Sequence, residues 1–263
     1  MQTSHTSTPG TGSSLTRRLL TLEVVLVLAV SLGRSGVYSL VNLIATWTAP
    51  GSLSEQSAVM NGSKAPGREW LDLTYQLMGL AFGLVPAALA AYLLIRDGKD
   101  LRRIWYDRTR SWSDTARGAV LAAVVGGTGL AFYLAMYAAG VNVAVVAEDL
   151  PHVWWRFPVL VLAALQNALL EEIVVLGYVL TRLDDLDVRR PVAIVLAAVL
   201  RGSYHLYQGL GGFFGNVAMG LLFGWLYHRW GRITPMVVAH TILDVFAFVG
   251  FALLAGHVSW LPT

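Results

Sequence analysis

Seven apolar stretches, at about 19–46, 71–95, 118–139, 157–180, 191–207, 212–228 and 234–255, leave this chain few ways to fold. Each is long enough, at about 17 residues or more, to cross a hydrocarbon core. Inside lipid every backbone N–H and C=O must find a partner within the protein, so only helices and closed barrels span. Runs of this length predict an all-α, polytopic bundle of transmembrane helices with seven to eight spans, the eighth being a re-entrant or interfacial helix within 140–156. Composition agrees: 56% of residues are hydrophobic and 13% are charged, about half the charge of a soluble domain.

The loops alternate in positive charge, as the positive-inside tendency requires. Arg17 and Arg18 precede the first span, and Lys99, Arg102, Arg103, Arg108 and Arg110 follow the second. Arg182, Arg189 and Arg190 follow the fourth, and Arg229 and Arg232 follow the sixth. The 48–70, 140–156 and 208–211 loops between them carry little positive charge. This pattern predicts a multi-pass protein of the cell membrane with a cytoplasmic N-terminus, its paired arginines anchoring the first helix. The net charge of +3 is spread over these loops, so no nucleic-acid partner is expected; the lipid bilayer is. Cysteine is absent, which excludes disulfides, thiolate nucleophiles and Cys-ligated zinc.

The chain is expected to divide into a disordered tail at 1–16, N-terminal transmembrane helices and loops at 17–156, a helical core at 157–255 that carries the candidate site, and a C-terminal tail at 256–263. Pro86 is expected to kink the second span. Gly220 and Gly224 form a pair of small residues that admits a neighbouring helix. Glu23 and Arg34 read as anchors or intrahelical partners. Asp72 and Arg68 read as charges at a span end, where long side chains reach the interface.

Polar residues inside the apolar runs concentrate in the C-terminal half. Glu171 and Glu172 stand side by side in the otherwise uncharged run from Phe157 to Leu180. A carboxylate at the centre of a spanning helix costs about 2.5–3.5 kcal/mol on insertion scales, so two in a row need a polar chamber and a task. Asn167 and Glu171 are four residues apart on one helical face, and Tyr178, seven after Glu171, is expected near that face. Arg201 with His205 and His240 with Asp244 repeat the four-residue spacing on two more helices. Three polar stripes are better explained by a shared chamber than by three separate packing contacts. Such a set supports water activation: a carboxylate takes a proton, and an imidazole or guanidinium stabilises the oxyanion formed at a carbonyl. Glu and His are also zinc ligand types, but no spacing here matches a compact zinc motif, so a divalent metal is chemically open and not expected.

At these residues the chain resembles the CPBP family, the CAAX-protease and bacteriocin-processing membrane proteins also called Abi proteins. Glu171-Glu172 with Gly177-Tyr178 resembles the first motif, a Glu pair with Arg four residues after the second Glu. Tyr204-His205 resembles the second, in which Phe precedes His by four. His240-Thr241-Ile242-Leu243-Asp244 resembles the third, a His with Asn or Asp four later. The resemblance implies an intramembrane peptidase in which Glu171 activates water while Glu172, His205 and His240 shape the site and bind the oxyanion. It implies a substrate that is a peptide or a membrane-tethered protein. It also implies a metal-free, glutamate-dependent mechanism, although such proteins were long described as metalloproteases. Two departures stand out: Leu176 occupies the place of the motif Arg, and Arg201 that of the motif Phe. Arg201 is therefore expected to bring from the next helix the guanidinium that Leu176 does not supply, with Asp244, Asn167 and Tyr178 in support. The alternatives are a non-catalytic scaffold, immunity or regulatory protein of the same fold, and a proton-coupled carrier using the Glu pair as a relay.

Overall fold

A computed structural model describes residues 11–101 and 108–258. The tail expectation for residues 1–10, the C-terminal residues 259–263 and Arg102 and Arg103 of the basic loop lie outside the described residues. Helix α1 (Thr11–Ala29) begins inside the segment read as a tail and is followed by α2 (Leu32–Thr48). The two are bent by 53° at their junction. Next come β1 (Ser57–Gly62), α3 (Glu69–Gly83), α4 (Val85–Arg96), α5 (Ser111–Ala138) and β2 (Ala144–Asp149). The remaining helices are α6 (Arg156–Glu171), α7 (Leu180–Asp185), α8 (Arg190–Ser203), α9 (Leu210–Trp230) and α10 (Thr234–Leu254). Between α6 and α7 the chain does not unwind: Glu172–Val179 forms a π-helix that joins them into one rod.

Among the described residues, five helical rods are long and apolar enough to cross a bilayer, and six if α1 and α2 count as one bent span. The expected count of seven to eight is not reached by that measure, because α8 has only 14 residues, about 21 Å of helix. The expected break near Pro86 falls at Leu84, between α3 and α4, with the proline in the first turn of α4. There its missing N–H breaks no helical bond.

One element departs from the all-α expectation. The 140–156 loop holds a strand and no re-entrant helix: β2 pairs in parallel with β1 over Ser57↔Ala144 to Gly62↔Asp149. Consecutive β-branched Val145 and Val146 favour an extended backbone over a helix. The sheet rests on the ends of α6 and α10 through an apolar cluster that includes Ala147, Trp155, Leu160, Phe248 and Phe251. Beneath it, the buried Glu148 and Arg156 pair, and Glu148 accepts the Leu150 N–H at 3.1 Å.

Charges gather at the opposite end. Glu23 accepts hydrogen bonds from Tyr178 (3.0 Å), Arg182 (2.9 Å) and Arg96 (3.0 Å), and Arg182 also reaches Asp97 and Asp185. Lys99 reaches Asp185, Arg17 reaches Asp187, and the buried pair Asp114–Arg232 joins α5 to the start of α10. The positively charged loops thus share one end of the bundle and the sheet occupies the other. Asp72 is not a snorkelling charge. It is buried and caps the 63–64 turn, accepting from Ser63 Oγ at 2.6 Å and Lys64 N–H at 2.8 Å.

Helices α8 and α9 pack closely. A Cβ at Gly220 would lie 2.8 Å from Ala198 Cα and 3.4 Å from Arg201 Cδ, and one at Gly224 would lie 3.1 Å from Ile194 Cγ2. The two glycines therefore admit α8, as their spacing predicts. At the turn between these helices Gly209 takes φ +98° with Val141 O only 2.7 Å from the Cβ position, so any side chain there is both strained and crowded.

Candidate active site

Glu171 closes α6 and Glu172 opens the π-helix, so adjacent carboxylates diverge from one backbone step. Glu172 is fully buried. Its Oε1 receives Arg201 Nη2 at 2.5 Å and His240 Nδ1 at 2.8 Å, tying α6 to α8 and α10. With Glu172 ionised, its oxygens only accept, so His240 Nδ1 carries the hydrogen between them. The other edge of that ring, Nε2, stands 3.6 Å from Asp244 Oδ1, and Asn167 Nδ2 lies 3.4 Å from Asp244 Oδ2.

Glu171 is placed differently. Its Oε2 accepts the Tyr204 hydroxyl at 2.8 Å and faces Arg201 Nη1 at 3.7 Å and His205 Nε2 at 3.8 Å. No described residue bonds its Oε1. Partial exposure of the side chains of Glu171 (11%), His205 (14%) and Asp244 (18%) marks the accessible side of the cluster. Several buried polar atoms around it have no hydrogen-bond partner: Glu172 Oε2, Arg201 Nε and Nη1, and both ring nitrogens of His205. Buried polar groups are nearly always hydrogen-bonded, so this concentration at one place fits a site that handles water or a polar substrate.

Seven of the eight residues named from sequence therefore meet: Glu171, Glu172, His205, His240, Arg201, Asp244 and Asn167. The eighth, Tyr178, does not. Its hydroxyl donates to Glu23 at 3.0 Å in the charged cluster. The reason is the π-helix. A seven-residue step returns to the same face of an α-helix, but i→i+5 bonding puts more residues in each turn, and the same step ends on the far side. Arg201 lies where Leu176 suggested a cation was missing; Leu176 itself is fully buried in the apolar core. The Arg201 guanidinium also covers the Phe223 ring at 5.4 Å.

Tyr204 is the residue that the sequence reading did not single out for the site. It caps α8, three residues after Arg201, with its ring 4.9 Å from that of His205. The signal was its i,i+3 relation to Arg201, weakened because Tyr204 lies just past the helix end.

Residues 153–246 match a family model described as type II CAAX prenyl endopeptidase Rce1-like. The match agrees with the resemblance of this segment to the CPBP, or CAAX-protease, family. The match runs from just before α6 into α10 and contains all seven converging residues. No curated protein and no solved structure matches the chain. The matched segment carries the site, while α1 to α5 and the sheet lie outside it. Among the described residues no three His, Asp or Glu side chains converge as metal ligands. His240 Nδ1 is turned to Glu172, and Glu171 Oε2 to Tyr204.

Proposed function

We propose that the protein is an intramembrane endopeptidase in which Glu171 activates the water that hydrolyses a peptide bond. The substrate is a peptide or a membrane-tethered protein. The observation that carries this reading is the asymmetry of Glu171: one oxygen is held by Tyr204, and the other accepts no hydrogen bond from any described residue, beside a histidine whose two nitrogens have no hydrogen-bond partner among those residues. Glu171 Oε1 takes a proton from water, and the hydroxide formed adds to the scissile carbonyl carbon. The carbonyl π electrons move onto oxygen, and His205, with Arg201 behind it, stabilises that oxyanion. Collapse of the tetrahedral intermediate expels the amine, which receives the proton stored on Glu171. Glu172 acts on no substrate atom in this scheme; it fixes Arg201 and His240.

The family match supports a protease with a CAAX-type substrate, so a farnesylated C-terminal peptide in proteoliposomes is the first substrate to try. Glu171→Gln should lower turnover at least about a hundredfold, the usual contribution of a positioned general base, with insertion and thermal midpoint unchanged. Turnover retained in that variant refutes the mechanism. Chelators should leave the rate unchanged. In the membrane the charged end faces the cytoplasm and the sheet faces outward. The absence of native cysteine lets single cysteines at Ser57 and Asp187 report this by impermeant labelling.

A further inference from the structure

The second oxygen of Glu171 is held by a group to which the resemblance gives no role, and that group is fixed from outside the matched segment. Tyr204 is buried, and its hydroxyl donates to Glu171 Oε2 at 2.8 Å. Its backbone carbonyl accepts the Ser39 hydroxyl at 2.9 Å, from the middle of α2. Helix α2 buries Leu32, Gly36, Ser39 and Leu43, a four-three-four spacing that puts all of them on one face. Gly36 brings that face close: a Cβ there would lie 2.6 Å from Ser203 Oγ, at the last residue of α8. Tyr204 is thus fixed at its main chain by α2 and at its ring tip by Glu171.

We infer that Tyr204 is a positioning residue for the hydrolysis proposed above, orienting Glu171 so that Oε1 faces the reacting water, and that α2 holds Tyr204 in place through Ser39 and Gly36. The inference rests on the Glu171 reading. A carboxylate turns about its terminal bond, and an oxygen that accepts a fixed hydroxyl no longer competes for the water. Arg201 and His205 also face Oε2, but at 3.7 and 3.8 Å, beyond hydrogen-bond range. Among the described residues, only the tyrosine hydroxyl therefore fixes the direction of the carboxylate. Carboxylate rotation changes how well water is attacked without changing how substrate binds, so kcat should respond and KM should not.

Tyr204→Phe keeps the ring and the backbone tie and removes only the hydroxyl. Measured on the full chain in proteoliposomes with the farnesylated peptide, it should lower kcat about ten- to a hundredfold, as loss of a hydrogen bond to a charged group does. KM should stay within about twofold. Ser39→Ala, which touches no reacting group, should lower kcat in the same sense by a smaller factor, again with KM held. Parental kcat in Tyr204→Phe, or a loss expressed only in KM, overturns the inference. If Tyr204→Phe does not fold, parental kcat in Ser39→Ala overturns it. An inactive Glu171→Gln beside a fully active Tyr204→Phe would sink this role alone, whereas an active Glu171→Gln would sink the hydrolytic reading beneath it.

Discussion

Arg201 is the most demanding test of how this site is built. It is fully buried, 2.5 Å from Glu172 and 3.7 Å from Glu171. At an effective dielectric of about 20 those distances correspond to gross attractions of about 7 and about 4 kcal/mol. Desolvating the ions offsets much of this, so the net worth of the cluster is small. Removing one member is not, because it strands a buried carboxylate at a cost of about 3–5 kcal/mol. Arg201→Met keeps length and apolar bulk over Phe223 while deleting the charge. Unfolding in detergent, followed by tryptophan fluorescence, should show a midpoint lower by roughly 6–20 °C, from about 2–4 °C per kcal/mol for a chain of this size. Adding Glu172→Gln removes the stranded charge while leaving His240 an acceptor. The double variant should therefore regain more than about 2 kcal/mol over the additive expectation. Turnover should stay lost in both, since the oxyanion has no guanidinium behind it. A single variant within about 1 kcal/mol of the parent, or a double variant that is simply additive, would refute the ion cluster as described.

The remaining predictions concern elements that support the site. Gly220→Val places a side chain 2.8 Å from Ala198 Cα and against Arg201 Cδ; separating α8 from α9 should cost about 1–3 kcal/mol and reduce turnover, read by the same unfolding and peptide assays. Arg182→Met removes one cationic partner from each of Glu23, Asp97 and Asp185 at the charged end and should lower the midpoint with little change in KM. Asp97 gives that end its pH response. Burial works to raise its carboxyl, but hydrogen bonds and charge from Arg182 and Arg96 hold it below the ordinary 3.8. A depressed value contributes stability that is complete above 3.8 and lost as pH falls through the folded-state value. The midpoint deficit of Asp97→Asn should accordingly be constant from pH 7 to 5 and shrink below pH 4, as midpoint scans across pH will test.

What could be read in the sequence was whatever regular α-helix preserves. Asn167 and Glu171, and His240 and Asp244, each keep a four-residue spacing inside one rod, Arg201 and His205 keep theirs across the end of α8, and apolar surroundings force such stripes inward to a common chamber. Where the winding or the element changed, the inference failed. Tyr178 was projected through a segment wound as a π-helix and landed on the opposite face. Tyr204 sits in the turn that ends α8, three residues after Arg201, a step that the four-residue stripes do not include. The sheet joins residues 57–62 to 144–149 across the described helices α3, α4 and α5, and neither strand is long enough to announce a partner so distant. Glu23, read as an anchor, receives Tyr178, Arg182 and Arg96 from three elements, a convergence that no local spacing encodes.

The exchange of Leu176 and Arg201 shows what the site requires physically. A cation beside paired carboxylates is fixed by position in space, and position along the chain is one way to reach it. In this fold residue 176 lies in the apolar core, while the position four residues before His205 points at both carboxylates. Placing the guanidinium on α8 makes one ion bind two helices, and Glu172 Oε1 adds a third through His240. Gly220 completes the arrangement from α9, since a larger residue there would meet the Arg201 side chain. The reverse substitution tests this directly. Arg201→Phe with Leu176→Arg puts the cation back on the first motif, and it should recover at least part of the turnover lost in Arg201→Phe alone, measured with the same peptide. Recovery requires only that the charge can reach Glu172 from the π-helix. A double variant that folds with its midpoint restored and yet stays as inactive as Arg201→Phe would mean that the role of Arg201 depends on its place beside Tyr204 and His205, and that charge alone does not account for it.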